Sequence, residues 1–222
     1  MVNICYNEGM ETENRTKTLT KRQKSALETR KKLLDTARKI LCERGLCHVT
    51  VEELTAACGV AKGTFYTYFR QKEDIVYALC RETFACIRDD ALASKGAFLE
   101  RLQIYMEKFS KYIEQTGLKL CQEWIRNTAE PEDLASSNGY DKLIFDLDSI
   151  KALLQDGVKK GEIDPEAPID QIAHALNGVL YGQMLSWATS NGEFVFSVQT
   201  REYCNLFLRS TLQPWLIEKD CN

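Results

Sequence analysis

Between Lys62 and Lys72 the chain reads KGTFYTYFRQK, a run whose side chains suit hydrogen bonding to phosphate oxygens and to the edges of bases. Lys62 and Thr64 fall in the first turn of a short predicted helix, where side chains can reach base edges. Gly63 between them has no Cβ and lets the backbone come close. Tyr66 and Tyr68 offer hydroxyls to phosphates or bases. Upstream, Thr50 opens TVEEL with Glu53 three residues later, a capping box that starts a helix with its positive end free for phosphate. Lys72 offers a further phosphate contact. Chemistry of other kinds finds no support: there is no G-x-S-x-G, no H-E-x-x-H and no phosphate loop, so no catalytic residue, cofactor or enzymatic activity is expected. Nine cysteines without a C-x-x-C pair, and two histidines, give no metal site either.

These residues need elements to hold them. Leu27, Leu33, Leu34, Ala37, Ile40 and Leu41 recur at three, four and seven residues, which predicts a first helix of about 20 residues capped near Gly45. A second helix runs from Thr50 to Cys58-Gly59, and a third from about Ala61 to Phe69. Phe65 and Phe69, four apart, share a face and are expected to pack on Leu54 and the first helix. Gln71 to Asp74 open a fourth helix with the stripe Ile75, Leu79, Phe84 and Ile87. Two short helices around a glycine turn, preceded by a longer helix, describe a helix-turn-helix.

The rest repeats the pattern with longer helices. Phe98, Leu102, Tyr105, Phe109, Tyr112 and Ile113 mark one, residues 118–127 another, and residues 141–163 a third that ends near Gly161. Two more come after the DPEAP linker. No segment alternates as a strand does, so the class is all-α. Three regions are expected: a flexible basic arm over 1–24, a helix-turn-helix domain over 25–72, and a larger helical domain over 73–222. Charge divides the same way. The net charge of −3 conceals 14 Lys and Arg against 8 Asp and Glu in residues 1–72, and 15 against 24 thereafter. Only the first third suits a polyanion. No apolar run reaches the roughly 20 residues that span a bilayer, and no secretory leader is evident, so a cytoplasmic, nucleoid-associated protein with reduced thiols is expected.

The stretch TVEELTAACGVAKGTFYTYFRQKEDIVYAL resembles the DNA-binding signature of the TetR family of transcriptional regulators (TetR/AcrR type). It has the Gly-Val turn, the Lys-Gly pair, the Tyr, the terminal Phe and the Lys-Glu-Asp-aliphatic run in that order. The resemblance implies phosphate contacts from Thr50, Tyr66 and Lys72 and groove contacts from Lys62, Gly63, Thr64, Thr67 and Tyr68, with Val51 adjoining. Two positions depart from it. Ala61 stands where serine is frequent, which removes a cap, and Thr55 stands four before Gly59, where alanine is usual.

Reading one groove twice requires two heads, with half-sites about 34–36 Å apart or a multiple of that. A homodimer on a palindromic, double-stranded operator is therefore expected. Gly178, Tyr181, Gly182 and Leu185, with Leu208 and Leu212 of the last helix, are the candidate interface, and the resemblance places a four-helix interface in the same two helices. It further implies a small-molecule effector inside the C-terminal domain that shifts the spacing of the heads. Tyr105, Phe109, Trp124, Asn127, Phe145, His174 and Asn177 mix rings with polar groups as a ligand site does; they are equally compatible with ordinary core. The expected function is a ligand-responsive repressor, and an architectural DNA-binding protein of the same fold without a ligand is the alternative.

Overall fold

A computed structural model describes residues 20–44, 46, 48–129 and 138–217. Most of the expected arm, the Gly45 cap and the Asn127 side chain lie outside them. Among the described residues every element is helical, and extended pairing is confined to one antiparallel bridge between Ile163 and Leu216. None of these helices is long and apolar enough to cross a membrane.

Helix α1 spans Lys21–Arg44, α2 Val51–Cys58 and α3 Lys62–Tyr68. The first takes in the last four residues of the expected arm, 21–24, because Thr20 and Gln23 cap its first turn reciprocally. Its inward stripe is Leu33, Leu34, Ala37 and Leu41; Leu27 lies outside it, 53% exposed. The capping box forms as the spacing predicts, with Thr50 Oγ1 accepting from the Glu53 amide and the Glu53 carboxylate from the Thr50 amide. Gly59 ends α2 at φ 67°, a left-handed conformation that glycine adopts without steric cost. Thr55 is accommodated: its hydroxyl donates back to the Val51 and Glu52 carbonyls, so the buried residue leaves no donor unmatched.

Helix α4, Glu73–Ala93, leaves this head and runs into the larger domain. There α5 (Phe98–Thr116) and α7 (Asn138–Lys159) pack against it, and α6 (Leu118–Ala129) and α8 (Ile169–Thr189) pack on α5, α7 and each other. The stripes of α4 and α5 are buried as the periodicity predicts, apart from a half-buried Tyr112. The last helix is interrupted. Helix α9, Phe196–Tyr203, continues through a π-helical stretch, Cys204–Leu208, into α10, Arg209–Leu212. Beyond it, Leu216 pairs with Ile163, and the Ile217 amide donates to the Glu162 carbonyl, which ties this last described segment to the end of α7. Arg101, buried on α5, pairs with Asp156 and Glu162 and fixes the same corner.

Candidate functional site

The lower face of α3 is anchored and its upper face is free. Phe65 and Phe69 are buried with ring centroids 5.3 Å apart, in one cluster with Leu54 and the α1 stripe, and the Arg30 guanidinium lies over Phe69. With the rings pinned, Lys62, Gly63, Tyr66 and Thr67 are exposed, and Thr64 and Tyr68 are half-buried at the margin. A Cβ added to Gly63 would meet nothing within 4 Å. The chain's own packing therefore gives no reason for glycine there, whereas close approach of an outside surface does. Thr50 is exposed beside this face, but Val51 is buried and belongs to the core below it. A helix N-cap directs its first side chain inward when the apolar stripe begins at once, as in VEEL.

Two lysines are already engaged. Lys62 pairs with Glu52 on α2, and that hydrogen bond, then the Glu52 charge, raises the amine above its usual range while lowering the carboxyl. A phosphate or base that reaches Lys62 meets the Glu52 carboxylate beside it, although the ammonium keeps donors to spare. Lys72 is half-buried and its Nζ donates to the Leu46 and Val49 carbonyls, at 3.0 and 3.4 Å. It therefore closes the α1–α2 loop as well as facing the surface, a role its sequence position beside the aromatic run does not disclose. From the other side the Glu123 carboxylate on α6 accepts from the Leu46 amide at 2.6 Å. A loop of the head is thus held by a side chain of the larger domain.

That domain gathers Tyr105, Phe109, Trp124 and Asn177 toward its centre but separates the other expected lining residues. Tyr105, Phe109 and Asn177 are buried. The Phe109 ring lies 6.5 Å from Tyr181, and Trp124 meets Tyr181 edge-on at 5.9 Å. Phe145 instead sits under Arg81 and Arg88, at 5.6 and 5.9 Å, and helps line a groove of about 480 Å³ between α7 and the head. His174 is exposed: it lies four residues before Gly178 on the outer face of α8, so helical periodicity carries it away from the interior.

At the centre of the gathered rings lies a charge pair absent from the sequence-based candidates. Lys142 and Asp146 on α7, 5% and 0% exposed at their side chains, form an ion pair one turn apart. Tyr181 donates to the same Asp146 Oδ2 at 2.7 Å, while Asp146 Oδ1 and Asn177 Oδ1 have no hydrogen-bond partner among the described residues. Burial first, then the Asp146 carboxylate, holds the Tyr181 phenol far above its ordinary range, so it remains a donor. The signal was present: Lys142 and Asp146 fall on the same helical face as Ile150 and Leu153, and an ion pair on an apolar stripe is a pair destined for burial.

The residues of the expected dimer surface divide between the interior and the outer face. Tyr181 is turned inward by Asp146, and Leu208 and Leu212 are core residues, 2% and 1% exposed. Gly178, Gly182 and Leu185 do face outward, joined in the last helix by Leu206 and Phe207, 67% and 55% exposed. The π-turn explains the exchange, because its extra residue per turn rotates the later side chains away from the phase that α9 sets. Burial pushes the Cys121 and Cys204 thiols up to about 12, which keeps both as unreactive thiols near neutrality. Among the described residues no cluster of His, Cys, Asp and Glu could hold a metal.

The bacterial regulatory proteins of the tetR family match over residues 33–79, the span from the inner face of α1 into α4. Among curated relatives, the uncharacterized HTH-type transcriptional regulator YuxN of Bacillus subtilis (strain 168) is 26% identical over 132 residues. That alignment covers 55% of this chain but only 45% of YuxN. The fatty acid metabolism regulator protein of the same organism is 22% identical over 172 residues, 73% of this chain and 84% of that protein. In three dimensions the transcriptional regulator FadR from Bacillus subtilis, solved in complex with stearoyl-CoA, superposes with a TM-score of 0.61 at 19% identity, over 79% of this chain and 96% of that one. Signature, helix order and relatives agree: residues 33–79 match the DNA-binding head of the tetR family of bacterial regulatory proteins, and the relatives that the chain resembles over most of its length are regulators with the same helix order.

Proposed function

We propose that the chain is a homodimeric, sequence-specific DNA-binding regulator, a repressor that leaves a palindromic operator when a small molecule occupies its larger domain. The observation that carries the reading is the two-sidedness of α3. Phe65 and Phe69 hold its underside, while Lys62, Gly63, Thr64, Tyr66, Thr67 and Tyr68 are offered outward at a helix start, with Thr50 and Lys72 flanking for phosphate. Selection from random duplexes tests it. A palindrome should be enriched, and Lys62→Ala should bind it about ten- to a hundredfold more weakly, as loss of a base contact predicts. Enrichment of no sequence, or a Lys62→Ala protein that binds like its parent, would reject the reading.

Pairing is supported by the outer face of α8 and the last helix. A Cβ on Gly178 or Gly182 would meet nothing within 4 Å, and Leu185, Leu206 and Phe207 are exposed alongside. Small residues admit a second helix, and uncovered large apolar side chains provide the driving force. Phe207→Asp should convert the dimer to a monomer in light scattering while leaving the helical circular dichroism intact. A variant that stays dimeric would remove this face from the interface. The crystallisation of a structural relative with stearoyl-CoA supports a small-molecule ligand for this fold.

A further inference from the structure

The Lys142 ammonium occupies the middle of the larger domain, walled by rings from four helices. Its Nζ lies 4.5 Å from the ring centre of Phe84 on α4, 5.3 Å from those of Phe109 on α5 and Trp124 on α6, and 5.5 Å from that of Tyr181 on α8. Asp146 closes the cage from α7. Such an enclosure is far more elaborate than a lysine needs. Ring faces attract a cation through their quadrupole without accepting its hydrogen bonds in the ordinary way, so they suit an ammonium that has exchanged N–H groups for alkyl groups. A primary amine is strongly hydrated and gives up more on entering.

We propose that Lys142 is an internal stand-in for an organic ammonium effector, which binds by replacing its Nζ among Phe84, Phe109, Trp124 and Tyr181 against Asp146. The inference rests on the regulatory reading above and names the ligand class of that site. Charge decides the class. Asp146 is wholly buried, with Tyr181 donating to one oxygen and, among the described residues, no donor at the other, so its negative charge must be matched by whatever fills the cage. Exchange of one cation for another preserves that match. A neutral guest would leave Asp146 uncompensated, and an anion would have to draw Lys142 away from it to the same effect. The lysine stem is flexible and can withdraw toward water, where its head regains hydration. The rings, fixed on four packed helices, remain.

The test uses the full chain with (2-hydroxyethyl)trimethylammonium and its uncharged isostere 3,3-dimethylbutan-1-ol, with binding read by calorimetry and by fluorescence of Trp124. The cation should bind at least tenfold more tightly than the isostere. Lys142→Met, which removes the internal competitor, should bind the cation at least tenfold more tightly than the parent. The Lys142→Met/Asp146→Asn protein carries no charge in the cage and should fold without binding the cation. Equal binding of the two probes, no binding by the parent, or binding retained in the double variant would each overturn the proposal. If Lys142→Met alone does not fold, the parent's discrimination and the double variant decide the matter. The operator arm separates the two readings. A selected palindrome bound by a protein indifferent to the cation leaves the regulator standing and rejects the cationic effector, and a cation-binding protein that selects no duplex does the reverse.

Discussion

Asp146→Ala is expected to destabilise the folded chain by about 3–5 kcal/mol, the usual cost of leaving one member of a buried ion pair without its partner. The magnitude comes from where the charge would be stranded. Lys142 would keep its ring contacts but lose its paired carboxylate at a site 5% exposed, and Tyr181 would lose the acceptor of its 2.7 Å hydrogen bond. A second substitution separates this from a simple packing defect. Lys142→Met in the same background removes the stranded cation and should recover most of the loss, so the two changes together cost less than Asp146→Ala alone. Urea unfolding of the three proteins and the parent gives the cycle. A double variant as unstable as the sum of the singles would show that the pair does not act as a unit.

Phe65→Ala is expected to cost a similar amount, about 3–5 kcal/mol, and to abolish operator binding in protein that still folds in its larger domain. Phe65 is fully buried and meets Phe69 at 5.3 Å and Tyr66 edge-on at 5.4 Å. Helix α3 has only seven residues, and its Ala61 N-cap makes no side-chain hydrogen bond, so it cannot persist by local propensity. Packing of the two phenylalanines is what gives it an orientation. Exchange protection of the α3 amides should fall in this variant while that of α5 and α8 is kept. Uniform loss across both domains would show that the head does not unfold separately.

The head was the more legible half because its determinants are local. Thr50 and Glu53 are three residues apart, Phe65 and Phe69 four, and Gly59 marks its own turn, so period and capping rules place them without knowledge of the fold. The site in the larger domain is made by distance. Phe84, Phe109, Trp124, Lys142 and Tyr181 come from five helices, and no spacing along the chain announces that they converge. Tyr105, Phe109, Trp124 and Asn177 were accessible as rings and amides among apolar residues, but a regular stripe does not say which of its members face a neighbour's polar group. His174 and Phe145 lie apart from the gathered rings for that reason. Leu208 and Leu212 turn inward for another: a constant 3.6-residue period cannot be carried through the π-turn of Cys204–Leu208.

Glu123 and Trp124 are consecutive on α6, one carboxylate holding the Leu46 amide of the head and one indole walling the Lys142 cage. A rigid helix cannot shift one without the other, so under the proposed regulation that segment would act as a rocker between the cage and the loop of the head. Free energy passed through a rocker passes equally in both directions. Whatever factor an occupant of the cage takes from the affinity for DNA, bound DNA must take from the affinity for that occupant, and Glu123→Gln should shrink both factors together.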